Sequence, residues 1–314
     1  YPPVAQLAFA AAHAIAPFSL HAWRLVVFAL DVTTLVLLLR LLSVAGVSPG
    51  HALIYWLNPV LLLELYNSAH MDIVALPLVT GALLFAHHKK SVASMAVLAA
   101  AVAAKLWPML LMPILVRTTG GSARRQIGAL SVGVVFSLAL LAPMLKHATR
   151  TDAGLTEYSE RWEMNDALFL PIAWIADRVV TGLGGTEHAA GKAARIAVAV
   201  LVLTILAWAS RTPAMGPVDV CNRAGIVVGA LFLLSPAPFP WYYVWLLPFL
   251  AVRPRASLLL LSATLPLYYL KFHYAARGQV DIFHTRIVWL EFGPVLVLAA
   301  WEAARAWRRR RTAA

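Results

Sequence analysis

Apolar runs of roughly 15 to 20 residues follow one another from one end of the chain to the other, each close to the length that spans a bilayer's hydrocarbon core. In lipid every backbone N–H and C=O must be satisfied within the protein, so such a chain can fold only as helices or as a closed barrel. The runs are continuous rather than alternating, which selects helices. Composition agrees: 61% of the 314 residues are hydrophobic and 13% charged, about half the charged share of a soluble domain. The mean hydropathy is +0.76. An ordinary soluble enzyme is excluded, and the expected class is an all-α polytopic integral membrane protein with the bilayer as its solvent.

The single cysteine, Cys221, excludes an intrachain disulfide and a cysteine-based metal site. The net charge of +12 lies mainly in short connections between apolar runs, the pattern that orients a membrane protein, so nucleic acid is not an expected partner. The chain opens on Tyr1 with no basic leader before the first apolar run, and the expectation is that a natural start precedes it.

Arg305 and the run Arg308 to Arg311 directly follow an apolar segment and mark a cytoplasmic C-terminus at the plasma membrane. Counting back from there, expected spans are Ile287 to Ala304, Ser257 to Leu270, Trp241 to Val252, Gly225 to Pro236, Ala193 to Ala209 and Ile127 to Leu145. Within the long polar connection 146–192, Ala167 to Val180 is too short to cross and reads as an interfacial or re-entrant helix of a large outer loop. Val92 to Val116 carries Lys105 near its middle. A single span would place that cation at mid-bilayer at a cost of about 3 kcal/mol. Two short helices, Val92 to Ala104 and Leu106 to Val116, turn at Lys105 instead and put more basic residues inside, among them Arg40, Lys89 and Lys90. With Trp23 to Leu42, His51 to Tyr66 and Asp72 to Ala86, the expectation is about eleven crossings in one transmembrane domain: a core over 1–145, the outer loop, C-terminal spans over 193–304 and a basic tail over 305–314. Tyr1 to Pro17 lies on the outer surface in this arrangement.

That orientation gathers the unusual polar residues on one face. Glu64, Asn67 and His70 fall at i, i+3 and i+6, a spacing that puts a carboxylate and a histidine within proton-transfer reach, with Asp72 beside them. Capping of a helix start is the alternative for Asn67, but Glu64 lies inside an apolar run where capping cannot explain it. Lys105, followed by Leu106-Trp107-Pro108, sets a compact cation at a helix break, suited to a phosphate carried on a lipid, or else snorkelling at a helix end. Arg161-Trp162 with Asn165-Asp166 offers a guanidinium, an indole and hydrogen-bonding groups for a sugar or pyrophosphate, with N-capping as the other reading. Pro240-Trp241-Tyr242-Tyr243 reads by itself as an aromatic interface belt. His87-His88 have no paired ligand, so no catalytic metal held by protein ligands alone is expected, and no cofactor.

Taken in order, these stretches resemble the GT-C membrane glycosyltransferases, in particular glycosyltransferase family 87 and related mannosyltransferases. Tyr1-Pro2-Pro3 resembles a "YPP" stretch, Trp56-Leu57-Asn58-Pro59 with Glu64, Asn67, His70 and Asp72 a "WNP…E…N.H.D" stretch, Lys105-Leu106-Trp107-Pro108 with Pro113 a "K.YP….P" stretch, Trp162-Glu163-Met164-Asn165-Asp166 a "W.FND" loop, and Pro240-Trp241-Tyr242 a "PWY". The resemblance implies transfer of a sugar, most often mannose, from a polyprenyl-phosphate donor to a lipid-linked or glycan acceptor on the extracytoplasmic side. It implies catalytic roles for Asp72, Glu64 and His70, and substrate binding by Asn67, Lys105, Arg161, Trp162, Asn165, Asp166, Trp241, Tyr242 and Arg286, with Arg161 or Arg286 as a second cation beside Lys105. It also implies a first span and an acidic outer loop ahead of Tyr1, so the chain as given is expected to lack the family's usual base unless Asp72 or Glu64 serves. A transporter or flippase, or an inactive remnant, are the competing readings.

Overall fold

The computed structural model describes residues 1–145 and 163–312, and the expectations for Arg161 and Trp162 lie outside them. Among the described residues there is no strand. The longer helices, in chain order, are α1 Pro3–Ile15, α2 Leu20–Val44, α3 Leu76–His87, α4 Ser91–Val102, α5 Met112–Thr119, α6 Ala123–Leu145, α7 Phe169–Gly182, α8 Glu187–Ser210, α9 Gly216–Leu234, α10 Ala256–Thr264 and α11 Val288–Thr312. They pack around one apolar core that includes Leu38, Leu65, Leu98, Leu115, Val227 and Leu261. Phe28 and Val36 of α2, Val135 and Leu138 of α6, and Ile196 and Leu203 of α8 stay exposed. An apolar exterior of this kind suits contact with lipid tails, which the expected bilayer supplies.

The eleven crossings are not confirmed. Five helices among the described residues are long and apolar enough to cross, namely Leu20–Val44, Ala123–Met144, Glu187–Ser210, Gly216–Leu234 and Val280–Arg309. A sixth results if Pro59–Asn67 and Met71–His87, bent by 106°, count as one broken span. The other apolar runs are divided, and proline divides them. Three times a tight 3₁₀ segment leads into an α-helix with proline in its first two positions: Met71–Ala75 before Pro77, Trp107–Leu111 before Pro113, and Pro240–Leu246 before Pro248. Proline has no N–H to give and is tolerated only in a first turn, so each marks a fresh start instead of a continued span. Ser257 to Leu270 is divided likewise, α10 passing at Thr264 into a 3₁₀ turn with Pro266. Short broken helices at this depth survive because they are enclosed by other helices, not by lipid. Nearly every residue from Met71 to Leu76 and from Tyr242 to Val252 is buried.

The break at Lys105 is a hairpin. α4 and α5 flank it, and Lys89, just ahead of α4, donates from Nζ to the carbonyl of Thr118 at the end of α5, at 2.7 Å. Arg125 reaches the carbonyl of Lys89 at 3.2 Å, Arg117 that of Arg211 at 2.9 Å, and Arg255 the side chain of Asn222 at 2.7 Å. These contacts gather basic residues at the end of the bundle away from Lys105. α1 begins at the Lys105 end, where the Val4 N–H bonds the Ala103 carbonyl at 2.8 Å. α7 lies along α8 through Phe169, Ile172 and Ala176 and leaves Trp174, Ile175 and Val179 exposed, an amphipathic helix close to the expected Ala167 to Val180.

Asp31, in the middle of α2, is fully buried. It accepts from the Tyr55 hydroxyl at 2.6 Å, from the Trp56 indole at 3.1 Å and from the Tyr66 hydroxyl, tying α2 to both sides of the irregular stretch 52–67. Asp31→Leu leaves three donors without an acceptor, at about 1–3 kcal/mol for each that stays buried. A clear fall in the thermal unfolding midpoint in detergent is expected, with Asp31→Asn milder. An unchanged midpoint for Asp31→Leu would show that the brace is idle.

Candidate functional site

The expected helical face of Glu64, Asn67 and His70 is replaced by something more irregular. Leu62–Asn67 is one wide π-helical turn, after which the chain leaves the helix. Ser68 and His70 donate their N–H groups to the carbonyls of Leu63 and Glu64, and Ala69 sits between them with φ of +55°. A left-handed alanine is strained and must be held from outside. The first turns of α2 do so: the Trp23 indole donates to the Ala69 carbonyl at 2.7 Å, and Arg24 to that of Asn67 at 3.1 Å. Asn67 itself is exposed, and only its carbonyl is engaged among the described residues.

This turn brings His70 back over Glu64, with Nε2 and Oε2 3.4 Å apart. Glu64 is fully buried and accepts from the Tyr269 hydroxyl at 2.7 Å through its other oxygen. Oε2 has no hydrogen bond, so it stands near the imidazole without one formed. His70 is 30% exposed and stacks on Trp241, with ring centroids 4.2 Å apart at 18°. Trp241 in turn stacks on Phe239 at 4.5 Å. Burial lowers the pKa of His70, against a pull upward from Asp72 and with a further push down from Lys105. Near neutral pH its ring is therefore uncharged and able to accept a proton.

Lys105 stands beside this pair, its side chain 19% exposed. Its Nζ lies 3.0 Å from Asp72 Oδ1 and 4.7 Å above the Tyr242 ring. The Trp245 indole donates to the same Asp72 oxygen at 2.9 Å. Tyr242, Trp245 and Trp107 stack in succession, at 4.5 and 5.3 Å between centroids. Each of the three 3₁₀ segments thus supplies a part: Asp72 from the first, Trp107 with the adjoining Lys105 from the second, and Trp241, Tyr242 and Trp245 from the third. Asp72 Oδ1 holds two donors and anchors the ammonium.

A second group adjoins the aromatic wall. Asn165 takes φ of +62°, is fully buried, and donates from its amide to Glu291 Oε1 at 2.7 Å. It therefore pairs with α11 and does not cap α7. Met164 is pinned by its N–H to the Pro236 carbonyl at 2.8 Å, and its sulfur meets both the Tyr268 hydroxyl and Lys271 Nζ. Burial lowers the pKa of Lys271, which has no carboxylate partner among the described residues. Asp166 is buried, and that burial pushes its pKa up to about 7. Arg286 is exposed in the turn Phe283–Ile287 and meets none of these residues, so its expected place beside Lys105 is not seen. Lys271 is the half-buried cation of that region. Among the described residues no three His, Cys, Asp or Glu side chains converge as metal ligands would.

Sequence reasoning missed Tyr269, Trp245, Glu291 and Asp31. Trp245 had a signal, standing three residues after Tyr242 in a run of aromatics. Tyr269 and Glu291 join the site through contacts more than 100 residues apart, which no local pattern displays.

A groove of about 720 Å³ between α1 and α2, lined by Phe9, Ala12, His13, Phe18 and Leu20 among others, ends at Trp23. Trp23, in its wall, is the residue that donates to the Ala69 carbonyl.

The described residues are all-helical, with a lysine and a Glu–His pair set at helix breaks at one end of the bundle. Residues 1–120 match the model of the MptA_B family, described as the N-terminal domain of alpha-(1->6)-mannopyranosyltransferase. No curated protein matches. Among solved structures, ArnT from Cupriavidus metallidurans bound to undecaprenyl phosphate is similar at 16% identity and a TM-score of 0.49, covering 98% of this chain. The chain spans 62% of ArnT's length.

Proposed function

We propose that this protein transfers a sugar, mannose by its family match, from a polyprenyl-phosphate donor to a lipid-linked or glycan acceptor at the extracytoplasmic face of the plasma membrane. The observation that carries the reading is the placement of Lys105 at a helix break, held by Asp72 and an aromatic wall, directly beside the Glu64–His70 pair. Departure of a phosphate from the anomeric carbon builds negative charge on its oxygens, and a desolvated ammonium fixed in advance stabilises that charge. Lys105 keeps one N–H on Asp72 and offers the others. The stacked faces of His70 and Trp241 suit the apolar side of a sugar ring. His70, uncharged, stacked on Trp241 and with Glu64 beside it, takes the proton of the acceptor hydroxyl as the new C–O bond forms and the bond to phosphate breaks. The prenyl tail lies in the groove between α1 and α2. Lys271 is the second cation in this scheme.

Two measurements test it. Reconstituted with radiolabelled polyprenyl-phosphate mannose and cell-envelope glycolipid, the intact protein should form labelled product, and no transfer from that donor would overturn the reading. In a Cys221→Ser background, a cysteine at position 70 should react with an impermeant maleimide only from the extracytoplasmic side, and one at position 253 only from the cytosol. The reverse pattern would invert the proposed face.

A further inference from the structure

At the basic end of the bundle, remote from Lys105, lies a cavity of about 210 Å³. Its wall is apolar, made by Leu41, Leu83, Val220 and Cys221, while His87 and Lys89 supply its polar edge. Lys89 is exposed and holds a left-handed backbone with φ of +59°, a conformation rare for lysine. Its Nζ bonds the Thr118 carbonyl, and its own carbonyl accepts from Arg125. Arg117 adjoins the lining residue Thr118 and donates to the Arg211 carbonyl.

No carboxylate partners these cations among the described residues. Among the described residues Lys89, Arg117, Arg125 and Arg211 meet backbone carbonyls or, for Arg211, the face of Trp208. The carboxylate nearest in sequence to this lining, Asp219, is already taken by Arg223 through two hydrogen bonds of 3.1 and 2.9 Å. An apolar slot at the basic end of the bundle, edged by cations that have no carboxylate partner among the described residues, matches a ligand with one negative headgroup and a hydrocarbon chain.

We propose that this cavity seats an anionic phospholipid, its phosphate on Lys89 and His87 with Arg125 behind them, and the upper part of one chain against Leu83, Val220 and Cys221. The site is separate from the glycosyl-transfer machinery and stands whether or not that reading holds. One link between the two is the α4–α5 hairpin, whose base Lys89 ties and whose tip is followed by Lys105.

The test is native mass spectrometry of the detergent-solubilised full chain titrated with phosphatidylglycerol and, separately, phosphatidylethanolamine. Phosphatidylglycerol should be retained at least tenfold better. Lys89→Gln should lower that retention about tenfold. Cys221→Phe, which fills the cavity and leaves every charge in place, should lower it too. Arg305→Gln, an equal charge loss on the C-terminal helix, should not. Equal retention of the two lipids, equal weakening by Arg305→Gln, or no effect of Cys221→Phe would overturn the proposal. So would full displacement by millimolar inorganic phosphate, which would assign the cations to a free anion.

Discussion

Lys105→Gln is expected to cut transfer from polyprenyl-phosphate mannose by about 10³-fold, the scale on which a preorganised charge at a leaving group acts. The loss should fall on turnover, since the contacts to the prenyl tail and to the sugar remain. The substitution also strips Asp72 of its ammonium, and an uncompensated buried carboxylate can by itself disturb the fold. Lys105→Met with Asp72→Asn removes both charges together and separates the effects. If the double variant melts like the wild type and is still inactive, the lysine acts in the chemistry. If the double variant transfers normally, Lys105 is a structural ion-pair partner and the proposed mechanism fails. Lys105→Arg should restore little, because a planar fork cannot occupy the space of a compact ammonium between Asp72 and the Tyr242 ring.

Glu64→Gln should lower kcat by about 10² to 10⁴, the range of a lost general-base assembly, with KM nearly unchanged. The Tyr269 hydroxyl keeps an oxygen to donate to, so the fold should hold. Asp72→Asn should lower kcat less than Lys105→Gln does, because it loosens Lys105 without removing its charge. The pH profile gives an independent readout. His70 must be uncharged to accept a proton, and its pKa is lowered by burial, so the rate should stay high on acidification past the ordinary histidine range before it falls. Asp72 pulls that pKa up and Lys105 pushes it down. Asp72→Asn should therefore move the acid limb to lower pH, and a conservative loss of charge at Lys105 should move it to higher pH. Limbs that do not respond would remove His70 from the proton path.

Much of this site is legible in the sequence because polar side chains are so costly in apolar runs that each of them marks a place where the chain turns. Glu64, His70, Asp72 and Lys105 could be gathered by that reasoning, Trp241 came only with the family resemblance, and the hairpin at Lys105 followed from the cost of burying it at mid-bilayer. Helix geometry was less legible. The contact between Glu64 and His70 is real, yet it arises from a π turn and a left-handed Ala69, not from a regular helical face. The number of crossings is not confirmed, because apolar content alone does not distinguish a helix in lipid from a short one wrapped in protein. Pro77, Pro113 and Pro248 carried the missing signal. Asp31 was passed over because its three partners lie 24 to 35 residues later, and nothing in the spacing of one residue reveals which donors will meet it.

The position of Asp31 bears on how the molecule is made. Synthesis delivers α2 before Tyr55, Trp56 and Tyr66 exist, and a carboxyl at the centre of an isolated helix costs about 2.5–3.5 kcal/mol on insertion scales. The strongly apolar remainder of α2 carries it into the bilayer regardless, but the newborn helix waits there with an unmet acceptor until the following stretch arrives. Biogenesis is thereby made sequential: the irregular segment that bears Glu64 and His70 is recruited onto a helix already in place, and the nascent chain has a thermodynamic reason to fix that segment early.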